Sequence, residues 1–553
     1  MKRDYEQHCH ELAQEVLLEM RRWREEHPTA TLQEIEEEVD RRIARWRAGL
    51  VEGLAMASGA VEVGSRAADK PASCPTCGGV LQARGKHIRK LTTSGEQTVR
   101  LERSYGYCPT CQVGFFPLDE QLGLRPNVGF TPKVEEGMAR LGTWMPFRAA
   151  SRELAFFLGV EVAEASVRQI TEQAGAVQVQ IQADEVKARL SERPESPAGP
   201  AVQLLSLDGA LIQMVKGEWK EVKTLAVGVG GLAKTKPGEE EQVQTRALSY
   251  FSRMSEAQRF QQEALGEVYR RGVEKAQTVC AGSSGAEWIQ KWVDYHRSNA
   301  VRILDFAHAL SYVSKGGQAA YEHLPLSQQD QVLPLPEQAK RKQQRFEQWL
   351  KEQKQELKTG EADSVLAELE RLRTLMQEAG HQGAVETLDS SLHYLRERRE
   401  MMRYASFRAQ GYPIGSGSVE SAHILVVQSR MKQAGMRWEP GHVNAMLAMR
   451  NLACNERWTE GWTAIRQGWG QQEAAERAQR AVRLSPAGTS ASPAPPTVLP
   501  LPEPASCVEP SLPPLPPPKP PSEPPPAAVP EPRPVRPAPT HPWRRPFLRR
   551  RSA

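Results

Sequence analysis

The sequence predicts a mixed α/β core to which helical units and a cysteine-rich module are attached. Three observations support this fold class. The chain has 553 residues, several times the length of a typical domain. From residue 201 onward, short apolar runs alternate with helical patterns, which is typical of a sheet covered by helices. Before residue 201 helical periodicity dominates, and four cysteines stand in two CxxC pairs.

Charge and composition exclude several classes of protein. The chain has 72 Lys and Arg against 67 Asp and Glu, a formal charge of +5. This balance excludes a polybasic coat protein but permits a local basic groove for nucleic acid. The sequence lacks any run of about 18 apolar residues, and its start, MKRDYEQHCHELAQE, lacks the apolar core of a signal peptide. We therefore expect a cytoplasmic protein without a membrane partner.

The two ends of the chain differ sharply in composition. Residues 1–57 are predicted to form two amphipathic helices, the second of which begins at a capping box from Thr31 to Glu34. Residues 480–553 are predicted to be a disordered tail. In that segment 25 of the 42 prolines lie between Pro486 and Pro546, and such a composition cannot form a packed core.

Cys74-Pro-Thr-Cys77 and Cys108-Pro-Thr-Cys111 are two near-identical turns. Each turn directs two thiolates at one point, and two turns together give the tetrahedral four-sulfur set that zinc prefers. The sequence between them alternates as strands do. We predict a zinc ribbon at residues 73–118 with a structural zinc ion. A pair of redox dithiols is the alternative, which the duplicated turns and the closed set of four ligands disfavour.

Residues 119–191 are predicted to form a helical unit. The stretch FRAASRELAFFLGVEVAEASVRQITEQAG predicts a helix, a turn at Gly159 and a second helix that begins near Ser166. Two helices joined by a glycine turn are typical of helix-turn-helix DNA-binding units, and equally of helical hairpins that only pack. The sequence leaves both interpretations open.

The α/β core is predicted from residues 201–325 and 406–470, with residues 326–405 as a charged helical insertion. AVQLLSLDGA predicts a buried strand, and EWKEVKTLAVGVG predicts one or two more after a hairpin turn at Gly217. LSYFSRMSEAQRFQQEALGEVYRRG is predicted to be a helix. KAQTVCAG and AVRILDF predict two further strands, each followed by a helix.

Three carboxylates are candidates for chemistry. Asp208 ends the first core strand, where α/β sheets place reactive groups, although a solvated turn is the alternative. Asp305 ends a later strand and precedes His308, a spacing that also fits an ordinary helix N-cap. Glu420 follows a Gly/Ser loop, where it either complements a helix dipole or reaches the same crevice. Three such carboxylates suit paired Mg²⁺ or Mn²⁺ ions that activate a water or a 3′-OH for attack on phosphorus.

Several segments in combination resemble the ISKra-type insertion-sequence transposases. They are SLDGALIQMVKGEWKEVKTLAVG, LSYFSRM, RRGVEKAQTVCA, GAEWIQKWVDYHR, AVRILDFAHAL and GSGSVESAHILVVQSRMKQAGMRW. The resemblance extends from the N-terminal helices to about residue 460. It implies a DDE-class DNA transposase with an RNase H-like catalytic core. Such a protein would bind the terminal inverted repeats of its element and target DNA, as a homo-oligomer at the prokaryotic nucleoid.

The resemblance also implies roles for individual residues. Asp208 is expected to be the first carboxylate and Glu420 the third, both as magnesium ligands. The second belongs to a DGAEW-like segment, in which this chain has Ser284 at the expected aspartate position. Asp305 and His308 then correspond to an auxiliary DxxH motif. Because a neutral hydroxyl is a poor ligand for Mg²⁺, we expect strand cleavage and transfer to be impaired.

Three hypotheses about function remain open at this point. The first is an active transposase in which Asp305 or Glu287 replaces the missing carboxylate. The second is a catalytically inactive relative that still binds element ends. The third is a zinc-stabilised interaction protein whose proline-rich tail docks SH3-like grooves as polyproline II. Metal-dependent cleavage separates the first from the second, and binding to terminal repeats separates the second from the third.

Overall fold

A computed structural model describes residues 2–63, 72–232 and 243–484 of the chain. Residues 1–486 belong to one compact unit. Of the predicted tail, residues 485–553 lie outside the described residues, while residues 480–484 belong to the last helix. Among the described residues, none of the helices combines the length and the apolar character needed to cross a bilayer.

The N-terminal part consists of a helical hairpin, a three-stranded antiparallel sheet and a group of helices. Its second helix begins at the predicted capping box, in which the side chains of Thr31 and Glu34 each bond the other's main chain. The helices and strands of this part are α1 (Lys2–Glu26), α2 (Leu32–Met56), β1 (Gln82–Thr92), β2 (Thr98–Cys108), β3 (Val113–Phe115), α3 (Pro117–Gln121), α4 (Pro132–Trp144), α5 (Phe147–Leu158) and α6 (Glu164–Glu192).

The C-terminal part contains a five-stranded sheet, a run of helices inserted after it, and helices that return to the sheet. The sheet and the helices between its strands are β4 (Val202–Gln213), β5 (Trp219–Leu232), β6 (Val243–Arg253), α7 (Ala257–Glu263), α8 (Leu265–Arg270), β7 (Thr278–Ser283), α9 (Glu287–Arg297) and β8 (Val301–Leu304). The remaining helices are α10 (Phe306–Tyr321), α11 (Gln328–Gln331), α12 (Leu335–Thr359), α13 (Ala362–Glu378), α14 (Gln382–Glu397), α15 (Tyr404–Ala409), α16 (Gly417–Ala422), a π-helical segment (His423–Gln428), α17 (Ser429–Met431), α18 (Pro440–Cys454) and α19 (Trp458–Leu484).

The five-stranded sheet has the order β6-β5-β4-β7-β8. Strands β4, β5 and β6 are antiparallel neighbours, while β7 and β8 run parallel to β4. Helices α7, α8 and α9 pack on one face of the sheet. On the other face, α10 and the inserted helices α12, α13 and α14 share one apolar core with β4, β7 and β8, and the segment from α16 to α18 covers the rest.

One predicted helix begins as a strand. The residues LSYFSR, which we expected to open a helix, form the end of β6, and helix starts only at Ala257. Five consecutive residues of β6, from Ser249 to Arg253, are buried. A strand that is buried on both faces does not alternate in polarity, so its pattern does not distinguish it from a buried helix.

Three asparagines, two in α18 and one directly after it, hydrogen-bond the side of β6 that faces away from β5. Each amide accepts a hydrogen bond from a main-chain N–H and donates one to the carbonyl of the same residue. The pairs are Asn455 with Tyr250, Asn451 with Ser252, and Asn444 with Met254, at distances from 2.7 to 3.2 Å. The three side chains therefore take the place of a neighbouring strand along this stretch.

Helices α6 and α18 pack so closely that Gly175 is required between them. A Cβ at Gly175 would lie 2.3 Å from the main-chain oxygen of Ala445. Gly175→Ala is therefore expected to lower the free energy of unfolding by about 1–3 kcal/mol, because two helix backbones must separate. Urea denaturation measures this change.

Gly470 in α19 provides the matched control. It also lies inside a helix, but a Cβ there would meet no atom within 4 Å. Gly470→Ala is expected to raise the free energy of unfolding by up to about 1 kcal/mol, because alanine favours the helix. Equal effects of the two substitutions would contradict the packing argument.

Candidate active site and cysteine cluster

The four cysteines of the two CxxC turns come together in the N-terminal sheet. The Sγ atoms of Cys74 and Cys111 are 3.9 Å apart, and those of Cys77 and Cys108 are 3.5 Å apart. All four sulfur atoms lie within 4.8 Å of one another. Thiolates about 2.3 Å from a tetrahedral zinc ion stand about 3.8 Å from each other. The cluster can therefore hold a metal ion such as zinc.

The main chain favours a thiolate at Cys108, whereas the hydrogen bond with Cys77 and burial raise the pKa of Cys111 to about 12. The N–H of Gly79 donates to Sγ of Cys77, and the N–H of Cys111 donates to Sγ of Cys108, both at 3.4 Å. Burial raises the pKa of the Cys108 thiol, but the hydrogen bonds from Cys111 and the neighbouring thiols outweigh it and lower that pKa to about 7. The deprotonated form is the one that binds metal.

Asp208 lies inside β4 rather than at its end. The prediction of a strand end is wrong for β4, because antiparallel pairing with β5 continues from Asp208 to Gln213. The neighbouring strand β7 does end here, since its parallel pairing with β4 stops at Leu207 opposite Ser283. The sheet therefore has a step beside Asp208, where β4 and β5 continue and β7 has ended. The Asp208 side chain is half-buried at this step.

Glu420 approaches this step from α16. It lies in the first turn of that helix, after the Gly/Ser loop, and its side chain is exposed. The hydrogen bond with Asp305 raises the pKa of His308, and the charges of Asp208 and Glu420 act in the same direction. His423 also experiences both carboxylates. Asp208 and Glu420, 212 residues apart in the chain, thus belong to one electrostatic cluster.

Asp305 is buried and occupied by hydrogen bonds. Its Oδ1 accepts from the main-chain N–H of His308 at 2.8 Å and lies 3.2 Å from Nδ1 of the same residue. Its Oδ2 accepts from the main-chain N–H of Ser416. Although burial opposes ionisation, these hydrogen bonds lower the pKa of Asp305 to about 2. Asp305 is thus the N-cap of α10, and it ties the end of β8 to the loop that precedes Glu420.

The expected position of the second carboxylate follows β7 directly. Ser284 is half-buried, and its main-chain oxygen accepts a hydrogen bond from the hydroxyl of Tyr394 in α14. Arg398 donates two hydrogen bonds to the carbonyl of Gly285, at 3.1 and 3.2 Å. The helical insertion therefore holds this loop. Neither contact could be predicted from local sequence patterns, since each joins residues more than 100 positions apart.

Glu287 and Asp305 were the proposed substitutes for the missing carboxylate. The side chain of Glu287 is 82% exposed and pairs with Lys291 at 2.7 Å, one turn along α9. Both oxygens of Asp305 are hydrogen-bonded within the protein. This geometry therefore does not support either residue as a replacement for the missing carboxylate.

His423 is a member of the cluster that sequence analysis did not select. It is 94% buried, and its Nε2 has no hydrogen-bond partner among the described residues. Burial lowers the pKa of His423, and the main chain and carboxylate of Asp208 oppose that shift. The spacing of three residues from Glu420 was the available signal, because it places both side chains on one side of a helix.

The carboxylates fit a divalent ion only in part. Asp208 and Glu420 supply the hard oxygen ligands that Mg²⁺ requires. Among the described residues, only the cysteine cluster brings three or more possible ligands within 4.8 Å of one another. Among the described residues, the geometry therefore does not show the site for paired Mg²⁺ or Mn²⁺ ions that we expected from three carboxylates.

The helical unit at residues 119–191 has the predicted shape. Helix α5 ends at Gly159, whose φ of 57° allows the tight turn, and α6 follows. One face of α6 packs against α4, α18 and α19. Phe156 and Phe157 are 79% and 70% exposed at the end of α5. The packed face fits a structural hairpin, and the exposed aromatic pair fits a binding surface, so both interpretations remain open.

Comparison with protein-family models finds none that matches this chain, and no curated protein matches it either. The function must therefore be argued from the elements and side chains described above.

The ionisation of Asp305 is also expected to make the stability of the fold depend on pH. Since its native pKa is lowered to about 2, against about 3.9 in an unfolded chain, its ionised form stabilises the fold above about pH 4. This contribution, about 1–2 kcal/mol, is expected to disappear as the pH falls from about 4 to about 2. Asp305→Asn should therefore lower stability at pH 7 and flatten the dependence of stability on pH below 4.

Chemical denaturation at pH 7, 4 and 3 measures this effect. Asp389→Asn is the control, because Asp389 is half-exposed and pairs with Arg373 on the surface. Identical pH profiles for the wild-type protein and Asp305→Asn would contradict the predicted role.

Proposed function

We propose that the protein is a DNA transposase of the DDE class whose chemistry is impaired by the serine at position 284. The observation that carries this proposal is that the charges of Asp208, on the central strand, and Glu420, on a helix that returns after the insertion, both act on His308 and His423. The segments that hold both residues are also among those that resemble the ISKra-type transposases. Its proposed location is the prokaryotic nucleoid, where it would act as a homo-oligomer.

The topology of the larger sheet supports an RNase H-like core. In such a core the first three strands are antiparallel, and the fourth and fifth lie parallel to the first on its other side. The strands β4, β5, β6, β7 and β8 follow this arrangement in chain order. Similarly, the three-stranded sheet around the four cysteines supports a zinc ribbon with a structural zinc ion.

The chemistry follows from the residues at the step in the sheet. Divalent ions held by Asp208 and Glu420 would activate a water or a 3′-OH and stabilise the leaving oxygen. Asp305 fixes the Gly/Ser loop and thereby orients the helix that carries Glu420. The hydroxyl of Ser284 adds no charge, so we expect weak binding of the ions and slow cleavage.

Exposed basic side chains support DNA as the partner. They lie on the same helical unit as the exposed aromatic pair Phe156 and Phe157, and their charges suit the phosphate backbone. The exposed arginines of α4, α5 and α6 are Arg140, Arg148, Arg152 and Arg168. An inactive relative that binds element ends is the second candidate function, and Ser284 is the observation that favours it.

The test uses the full chain and DNA fragments that carry candidate element ends. We expect a mobility shift that resists scrambled competitor DNA, and slow strand cleavage in Mg²⁺ or Mn²⁺. Asp208→Asn should keep the mobility shift and lose the cleavage, while Asp389→Asn should keep both. Binding without any cleavage would favour the inactive relative. A chain that neither prefers element ends nor cleaves DNA would refute the proposal.

A further inference from the structure

Two arginines of the C-terminal part are buried and bond neutral groups. Arg450 in α18 is 0% exposed, and Arg430 in α17 is 1% exposed. Within the part of the chain that the structure describes, their hydrogen bonds go to main-chain carbonyls, the hydroxyl of Ser429 and the sulfur of Met436. A buried cation that lacks a paired charge is costly, so other features must offset its burial.

Both guanidinium groups face the C-terminal end of α4. Nε of Arg430 donates to the carbonyl of Gly142 at 3.0 Å, and Nη1 of Arg450 donates to the carbonyl of Thr143 at 3.2 Å. Carbonyls in the last turn of a helix lack partners within that helix and carry the negative end of its dipole. The end of α4 therefore supplies part of the compensation that these buried cations need.

Aromatic rings at the turn between α4 and α5 add to this contact. The guanidinium of Arg450 lies 4.5 Å from the ring centroid of Trp144, and that of Arg430 lies 4.7 Å from the centroid of Phe147. Cation–π contacts of this kind are strongest where water is excluded. Side chains of α17 and α18 thus hold the turn that leads into α5.

Arg450 also bonds the π-helical segment that follows Glu420. Its Nε donates to the carbonyl of Val426 at 3.1 Å, and its Nη2 donates to the carbonyl of Leu425 and, at 3.0 Å, to the hydroxyl of Ser429. Arginine suits such a position because its donors form a rigid, branched fork. One guanidinium therefore joins the last turn of α4 to the helix that carries Glu420.

The apolar pattern of this helix predicts an ordinary α-helix. Its buried apolar residues follow the three- and four-residue spacing of such a helix, at Val419, Ala422, Val426 and Val427. The main chain stays right-handed helical at both ends of the π-helical segment, so α16, this segment and α17 are continuous. The hydrogen bonds from Arg450 to two carbonyls of the segment offer the physical reason for the wider turn, a rare feature that occurs frequently at functional sites.

The wider turn sets the direction of the Glu420 side chain. Glu420 precedes the π-helical segment, and Arg430, which is anchored on α4, follows it. One residue of an α-helix corresponds to a rotation of about 100°. Without the extra residue of the π-helical turn, Glu420 would therefore be turned by about 100° relative to the anchor at Arg430.

We propose that Arg450 is a positioning residue that stabilises the π-helical turn and thereby fixes the direction of the Glu420 side chain relative to α4 and α5. Arg430 provides the second attachment to α4. The importance of Glu420 rests on the proposed function, whereas the link between the two helices does not depend on DNA cleavage. This link would hold the carboxylate at a constant position relative to DNA bound on the helical unit.

The experiment measures the distance between two nitroxide labels in the full chain by pulsed electron paramagnetic resonance. The labels replace Ser421, beside Glu420, and Lys133 in α4, which are both exposed. They are introduced as unnatural amino acids, so that the cysteine cluster is untouched. Arg450→Lys keeps the charge but loses the fork of donors. We expect it to shift the mean distance by more than about 3 Å, because a rotation of about 100° moves a side chain across much of a helix about 10–12 Å wide.

Arg457→Met is the control for a merely structural effect. Arg457, which follows α18, pairs with buried Glu267 at 2.6 and 2.9 Å, so its loss should lower stability and leave the mean distance unchanged. A distance distribution in Arg450→Lys that only broadens about the wild-type mean would overturn the inference. If Arg450→Lys does not fold, Arg450→Gln, which removes the buried charge, decides in the same way.

DNA assays separate this inference from the proposed function. In Arg450→Lys we expect the affinity for element ends to change by less than about 2-fold and cleavage to fall at least about 10-fold, because a small misplacement of a reacting group is enough. If the distance shifts but no form of the chain cleaves DNA, the positioning role stands without the transposase activity. If the wild-type chain cleaves DNA and Arg450→Lys changes neither the distance nor the cleavage, the inference is wrong and the proposed function stands.

Discussion

Ser284→Asp is expected to raise metal-dependent DNA cleavage by more than about 100-fold, because it restores a charged ligand bound directly to the ion. The register of the sheet gives the reason. Val202 pairs with Thr278, and Leu207 pairs with Ser283, so one further step would put residue 284 beside Asp208. A carboxylate there would follow directly on the end of β7, next to the strand that carries Asp208.

The measurement is cleavage of labelled DNA that carries element ends, in Mg²⁺ and in Mn²⁺. Ser284→Asn is the matched control, since it has the size of the aspartate without its charge and should restore little cleavage. Adding Asp208→Asn to Ser284→Asp should remove the gain. If the unmodified chain already cleaves and Asp305→Ala abolishes that activity, position 284 is not the vacant carboxylate position.

Cys108→Ser is expected to remove the metal from the cysteine cluster and to unfold the sheet of β1, β2 and β3. Cys108 is fully buried among the cluster's apolar neighbours, including Val113 and Ala481. Structural zinc supplies about 10–16 kcal/mol in small zinc modules, as much as the whole stability of a typical domain. The few apolar side chains around this cluster cannot replace that contribution.

Metal analysis of purified protein should find about one zinc ion per chain in the wild type and almost none in Cys108→Ser. Hydrogen exchange should show lost protection in β1 and β2 while the five-stranded sheet stays protected. Cys454→Ser, on a half-buried cysteine of α18 outside the cluster, should keep both the zinc and the protection. Unchanged protection in Cys108→Ser would contradict a structural role for the metal.

The sequence predicts the fold best where structure depends on local patterns. The hairpin turn at Gly217, the capping box at Thr31 and the helix that starts at Asp305 all follow from short-range rules. Local patterns do not predict strand β6, because part of its burial and of its hydrogen bonds comes from α18 and Asn455, about 200 residues later. Sequence periodicity cannot reveal a partner at that distance.

The residues of the candidate site also fall into those that local patterns predict and those that depend on distant contacts. Its cysteines follow from spacing alone, and Asp208 was found because an apolar strand leads to it. The support of the Ser284 loop by Tyr394 and Arg398 depends on how the insertion packs, which no local pattern reports. For Asp305 the sequence offered two roles, a ligand or an N-cap, and its hydrogen bonds favour the N-cap.

The three asparagine side chains that bond β6, in α18 and directly after it, affect the folding of the protein during its synthesis. Until they arrive, β6 is an open edge that can pair with another chain, and such edges promote aggregation. Asn444 is synthesised 190 residues after Met254. At about 5–20 residues per second, a nascent chain would carry that open edge for roughly 10–40 s. Solubility during synthesis would thus depend on what shields β6 before α18 leaves the ribosome.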